Sequence, residues 1–228
     1  MSSVPGGVRG RPVPPLRVVL IALAVPLAAC RIEKTPVADT SRSATSVFVN
    51  DDSFNPDSMV ATDWDAHVVP GLRDKAGPYD AVADAVAKDP DAAGDRYGWR
   101  EKQAGASWTY AAKVDGVITA ANTESRAATI DVRTEGGHTV TLQIGPVVRG
   151  TAIRDSVTFR PFGSFKNQVD YAQYGKALNA KANAVALSTV PRDGLVGRKI
   201  EALGAFQAGT GGAAPLVTPV EIHLEPKA

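Results

Sequence analysis

Apolar and polar positions along this 228-residue chain change period twice. From Asn55 to about Ala76, residues Met59, Val60, Trp64 and Val68 recur at helical spacing, with Asn55 or Asp57 available as a cap. Pro70 is expected to break or kink that helix, because it lacks an N–H and crowds the carbonyl four residues earlier. Tyr79, Val82, Ala83 and Val86 continue the helical spacing in a second piece, and Asp89-Pro90 opens a third. Gly94 and Gly98 argue against one long helix. Residues 55–104 therefore read as a helical N-terminal lobe.

Past Gly105 the period falls to two. The stretch "SWTYAAKVDGVITAANT" is rich in strand formers, "AATIDVRT" alternates around Ile130 and Val132, and "HTVTLQI" alternates through Val140, Leu142 and Ile144. Gly136-Gly137 between the last two is a hairpin signal, since tight hairpin turns need positive φ. Helical spacing returns near residues 167–187, where Tyr171, Tyr174, Leu178, Ala182 and Val185 share a face and Asn167 can cap. "GRKIEALGAFQ" and "PLVTPVEIHLEP" then read as strands around a Gly/Ala-rich loop at Gly209–Ala214. Three strands, a helix and two strands is the order of the five-stranded OB-fold. The expected class is α+β: a small five-stranded OB-like β-barrel over residues 105–228, preceded by the helical lobe.

The first thirty residues follow neither pattern. Arg9, Arg11 and Arg17 precede an apolar run from Val18 to Cys30, with no acidic residue before Glu33. That run is shorter than the roughly 20 apolar residues a membrane helix needs. A basic start, an apolar middle and a small-residue exit is the layout of a secretory signal. The exit, Leu27-Ala28-Ala29-Cys30, resembles the lipobox of bacterial lipoproteins, which implies acylation of Cys30 and cleavage just before it. Stable anchoring takes two or more acyl chains, which such a cysteine carries. Residues 1–29 are then a signal peptide and residues 30–54 a lipid anchor and polar tether, with a bacterial membrane as the first partner. A plain signal peptide with a chance cysteine is the alternative.

Charge narrows the partners. The chain has 25 Lys and Arg against 24 Asp and Glu, and removing the three signal arginines leaves 22 against 24. A slightly acidic mature protein argues against nucleic acid. Cys30 is the only cysteine, so no disulfide framework and no thiol catalysis remain after lipidation.

One stretch looks like a site: "QIGPVVRGTAIRD", Gln143 to Asp155. Gly145 and Gly150 have P-loop spacing, but Thr151 stands where the lysine belongs and Pro146 removes a backbone donor. The phosphate-cradle reading fails. Two readings remain open. In one, the stretch is a structural corner leaving the third strand, with Thr151 capping a short helical turn and Arg149, Arg154 and Asp155 forming an ion pair. In the other, an arginine reads a carboxylate, phosphate or sugar hydroxyl. "NTESRA" (Asn122–Ala127) is expected at the opposite end of the same sheet, as a turn with a local Glu124–Arg126 ion pair. Trp99, flanked by Arg96, Arg100 and Glu101, is the exposed aromatic most suited to contacting a ligand or partner.

Catalytic signals are thin. His67, His138 and His223 have no metal-ligand spacing, and no Gly-x-Ser-x-Gly elbow is present. "DPDAAGD" lacks the order of a calcium loop, and helix capping by Asp89 or Asp91 accounts for it better. No catalytic residue, metal or cofactor is expected.

The segments "DPDAAGDRYGWR", "NTESRA", "QIGPVVRGTAIRD", "NQVDYAQYGKALN" and "LGAF" together resemble the predicted periplasmic lipoproteins of bacteria whose genes often lie beside those of sugar ABC transporters. The resemblance runs from the lipobox to about Phe206. It implies an extracytoplasmic lipoprotein with Cys30 lipid-modified, and an accessory or ligand-binding role beside a sugar ABC transporter or its solute-binding protein. It implies no catalytic residue. An envelope scaffold acting through protein contacts is the first rival. An envelope glycan hydrolase is the second, and it would need paired carboxylates in a cleft, with Glu124, Asp155 and Asp170 the first to inspect.

Overall fold

The computed structural model describes residues 54–102, 106–208 and 215–226. The signal, Cys30, the tether as far as residue 53 and the Gly209–Ala214 loop lie outside the described residues. The chain is mixed α+β, with a helical N-terminal region leading into a sheet.

Helix α1 (Pro56–Asp63) starts where Asn55 Oδ1 accepts the Ser58 N–H at 2.9 Å. Pro70 does not end the helical run. Residues Trp64–Val68 form a π turn, in which the Val69 N–H donates to the Trp64 carbonyl five residues back, and α2 (Val69–Lys75) carries Pro70 in its first turn. The wider turn accommodates the ring, and a first-turn proline gives up no helical hydrogen bond. Trp64, Val68 and Leu72 stay buried throughout. After a two-residue strand, β1 (Gly77–Pro78), come α3 (Tyr79–Lys88) and α4 (Pro90–Tyr97), then a second short strand, β2 (Gly98–Trp99). Asp89 caps α4 by accepting the N–H groups of Asp91 and Ala92, each at 3.1 Å.

Five longer strands follow: β3 (Thr109–Asn122), β4 (Thr129–Thr134), β5 (Thr139–Gln143), β6 (Lys199–Gln207) and β7 (Leu216–Leu224). Between β5 and β6 lie a short helix, α5 (Ala152–Asp155), and the long α6 (Gln168–Val185), capped by Asn167. β3 pairs with β4 over residues 116–122, β4 with β5, β5 with β7 in parallel, β7 with β6, and β6 with β3 over residues 109–117. The pairing path therefore returns to its starting strand. In the β4–β5 hairpin the two glycines serve different needs. Gly137 has φ +87°, whereas Gly136 sits where a Cβ would strike the Asp80 carboxylate, to which its N–H donates at 3.0 Å.

Strand alternation divides the buried residues. Val114, Ile118, Ile130, Val132, Val140, Leu142, Ile200 and Val217 fill one cluster, which Tyr79 and Val82 of α3 close together with Tyr110 and Phe206. Ala111, Leu203, Ala205 and Val220 point the other way and meet Val60, Trp64, Leu72, Tyr174 and Leu178 of the helices. Val185 does not join the buried face of α6 as its spacing suggests. It is the last residue of the helix and is 42% exposed.

The helical side is tied by a buried polar node. Asp63, 2% exposed, receives a two-pronged bond from Arg160, with Nη2 to Oδ1 at 2.9 Å and Nε to Oδ2, and a further bond at 2.9 Å from the Tyr174 hydroxyl. One carboxylate thus joins α1, α6 and the strap over residues 156–167. Burial first, and then the bond to Asp63, push the Tyr174 phenol well above its ordinary value.

Removing Asp63 leaves a partly buried guanidinium and a buried phenol without an acceptor. Asp63→Ala is expected to lower stability by about 2–4 kcal/mol and Tyr174→Phe by about 1 kcal/mol, measured by chemical denaturation. A second expectation concerns alkaline pH. Burial, with the neighbouring Asp80 adding to it, pushes the Tyr79 phenol up to about 12 from 10.0. A raised value favours the protonated folded state, so this contribution is complete below pH 10 and is lost as pH rises from 10 towards 12. Tyr79→Phe should flatten the alkaline limb of a stability–pH curve and leave the neutral region nearly unchanged.

Candidate functional site

The corner after β5 is organised by one buried amide. Gln143, 2% exposed, accepts the Arg149 N–H on Oε1 at 2.7 Å, and its Nε2 donates to the Arg149 carbonyl at 3.0 Å and the Thr218 hydroxyl at 2.7 Å. That staple fixes the loop from Gln143 to Arg149 as a closed turn on the sheet. "NTESRA" is not at the opposite end, as expected from the sequence, but against this corner. β3, β4 and β5 are antiparallel neighbours, which brings the start of β4 beside the end of β5. The Ile144 N–H donates to the Ala128 carbonyl at 2.9 Å and the Val147 N–H to the Arg126 carbonyl at 3.0 Å. A Cβ on Gly145 would fall on that Arg126 carbonyl, so glycine is needed for close approach.

The charged residues of these two loops separate into two groups. Glu124, Arg126 and Arg149 are exposed, and the described residues contain no ion pair among them. The expected Glu124–Arg126 pair is replaced by the Ser125 hydroxyl, which accepts the Ala127 N–H at 3.1 Å. Arg154 and Asp155, in contrast, form a half-buried unit. Arg154 donates from Nε at 2.8 Å and Nη2 at 2.7 Å to Asp155 Oδ1, and its guanidinium lies 4.1 Å over the Tyr171 ring. Asp155 Oδ2 accepts from Thr151 Oγ1 at 2.6 Å and from Gln207 Nε2 at 3.2 Å. Thr151 therefore does not cap α5 with its side chain, because its hydroxyl bonds the carboxylate four residues on.

This unit forms one wall of an open cleft of about 510 Å³. Its other walls are the start of α6, with Gln168 and Tyr171, the end of β6 at Gln207, and the strap at Phe162. The strap is held from both sides: the Arg160–Asp63 bond fixes it below, and the Phe162 N–H donates to Glu101 Oε1 at 3.2 Å. Phe162 meets the edge of Tyr171 at 5.3 Å between centroids and remains 45% exposed. Tyr171 is 9% exposed, and burial raises its phenol, an effect that Arg154 opposes. A cleft of this size holds a small molecule.

Of the sequence-predicted candidates, Arg154 and Asp155 line the cleft, Thr151 supports Asp155 from behind, and Glu124, Arg126, Arg149 and Trp99 do not line it. Trp99 is not the exposed aromatic it was expected to be, because pairing with Thr109 lays it against the helix-side cluster. Trp108 holds the more polar position, donating to Asp91 Oδ1 at 2.6 Å beneath the Arg100 guanidinium. Glu101, Phe162, Gln168 and Gln207 were passed over. For Phe162 the available signal is "FRPFGSF", a phenylalanine at every third position in a segment with neither helical nor strand periodicity; Glu101, Gln168 and Gln207 carry no such mark. The three carboxylates proposed for hydrolysis do not converge: Asp155 lines the cleft, whereas Glu124 and Asp170 do not. A hollow of about 620 Å³ over β3, β6 and β7 is lined by apolar residues among charged ones, is bridged by the Arg73–Glu221 pair, and has no Phe, Tyr or Trp in its described lining. No group of three or more His, Cys, Asp or Glu among the described residues is placed to hold a metal ion.

Comparison with known proteins places the chain in a family. The profile of the predicted periplasmic lipoprotein family (DUF2291) matches residues 20–223, so the chain belongs to that family of extracytoplasmic lipoproteins. Among solved structures, an OB-fold protein from Thermotoga maritima superposes with a TM-score of 0.59 at 14% identity, covering 75% of this chain and 99% of the other. That likeness supports an OB-type arrangement of the fold. An OBody bound to hen egg-white lysozyme matches with a TM-score of 0.29 at 15% identity, over 52% of this chain and 84% of the other. No match was found among curated proteins.

Asp155 and Arg149, the paired and the unpaired charge of the corner, should behave differently. Asp155→Ala strips four donors of their acceptor and is expected to cost about 1–3 kcal/mol. Arg149→Ala should stay within about 0.5 kcal/mol of the parent, as an exposed side chain without partners. Thermal or chemical denaturation of both variants checks the contrast.

Proposed function

We propose that this chain is a non-catalytic, membrane-anchored lipoprotein that binds a small solute outside the cytoplasm, as an accessory of a sugar or related ABC uptake system. In this reading residues 1–29 are a cleaved signal, Cys30 carries the acyl chains, and the ring of strand pairings is a small OB-like barrel. The partner is an ABC transporter or its solute-binding protein. The observation that carries the solute-binding reading is the cleft, where an exposed aromatic ring and several amide and carboxylate groups converge in a volume suited to a small molecule. What favours binding over hydrolysis is the state of Asp155. Its two oxygens already accept four hydrogen bonds, so it offers no lone pair for activating water or a leaving group.

Two measurements test the reading. Cys30→Ser should move the protein from the membrane fraction to the soluble extract, and mass spectrometry of the parent should find acyl chains on residue 30. Retention of the variant in membranes would count against the anchor. Affinity capture with the detergent-extracted parent should recover a transporter or solute receptor. Capture of an envelope-assembly protein instead, with no thermal shift by any solute, would favour the scaffold reading.

A further inference from the structure

Which solute the cleft takes follows from which of its polar groups are already engaged. Arg154 is the only cationic side chain among the described lining residues. Two of its nitrogens are bound to Asp155 Oδ1, and one face of its guanidinium is packed on Tyr171, so it is a fixed part of the wall. Asp155 neutralises it in turn. Glu101 then leaves the described lining with one net negative charge, which no other described lining side chain offsets. An anionic solute entering here would face the Glu101 carboxylate and a guanidinium whose charge Asp155 already offsets.

The remaining groups suit a different chemistry. Tyr171 is packed by Arg154 over one face and by the Phe162 and Phe165 rings, and is 9% exposed, which leaves the Phe162 ring, 45% exposed, as the accessible aromatic surface. Around it stand the Gln168 side chain, the Ser107 hydroxyl and the carboxylate of Glu101, one of whose oxygens accepts the Phe162 N–H. An aromatic face attracts weakly positive C–H groups, and amides, hydroxyls and carboxylates bond neutral hydroxyls. A molecule with an apolar C–H face and several hydroxyl groups satisfies both.

We infer that the cleft between Phe162, Gln168 and Glu101 selects an uncharged polyhydroxylated solute and rejects its acid and phosphate derivatives. The inference rests on the reading of the cleft as a solute site. Phe162 supplies the stacking surface, Glu101 and Gln168 take the hydroxyls, and the Arg154–Asp155 unit holds Tyr171 and the wall in place. An arginine that reads a carboxylate or phosphate, one of the two possibilities left open by the sequence, is thereby set aside.

The test is a calorimetric titration of the detergent-solubilised full-length protein with neutral monosaccharides and alditols, each beside its sugar acid and its phosphate ester. Binding should be confined to neutral members, with the charged counterparts weaker by about tenfold or more. Phe162→Ser should weaken the best neutral probe by about tenfold while lowering the thermal midpoint only slightly, because the ring is half exposed and keeps a single ring contact. A sugar acid or phosphate that binds as tightly as its neutral parent overturns the proposed solute class and leaves solute binding intact. Unchanged affinity in Phe162→Ser overturns the stacking surface. Binding by no member of the panel overturns the solute-binding reading itself.

Discussion

One strand carries the architecture. β3 runs for fourteen residues and pairs with four others: β2 and β1 near its start, β6 along its first two thirds and β4 along its second half. β6 and β4 take opposite edges of β3, overlapping at Gly116 and Val117, and a register shift between Ile118 and Ala120 bends the strand just beyond. That bend lets the pairing path close on itself. Closure in turn sets the two sides of the sheet, one packed on itself and one packed on α1, α2 and α6. The helical N-terminal region is thus continuous with the sheet's core, with Ala111 and Ala205 small enough for the helices to approach the strands.

The cleft is a by-product of the same geometry. α5 and α6 cross between β5 and β6, so the end of β6 at Gln207, the short α5 and the first turn of α6 meet at one point. Two carboxylates fix the surroundings. Asp63 anchors the strap through Arg160, and Asp155 gathers Thr151, Arg154 and Gln207. Both carboxylates are engaged in holding the fold, which makes them supports for the site and, in the proposed reading, leaves binding to Phe162, Gln168 and Glu101. In the proposed reading, such rigid polar nodes hold in place the surface that takes the solute.

The long periodic elements were legible in the sequence. All five longer strands, the α6 helix and the caps at Asn55, Asp89 and Asn167 follow from local spacing and cap chemistry. What local spacing could not carry was pairing between distant segments. "NTESRA" was set at the wrong end because the antiparallel order of β3, β4 and β5 determines its neighbour, and Thr151 was read as a cap because its bond to Asp155 is made by side chains. Asp63 and Arg160 are ninety-seven residues apart and Asp63 and Tyr174 further still, so no window of sequence joins them. The strap itself has no period to detect, since its order comes from the Arg160–Asp63 pair and the ring contacts of Phe159, Phe162 and Phe165 rather than from a repeating backbone.

The most direct test of the central claim is a map of where solute touches the protein, from backbone amide shifts in the presence of a saturating neutral monosaccharide that binds. The account predicts perturbations that cluster at Ser107, Phe162, Gln168, Tyr171 and Gln207. Perturbations that cluster instead at Lys113, Glu201 and His223, or at Arg126 and Arg149, would contradict it and move the site to the outer hollow or to the β5 corner.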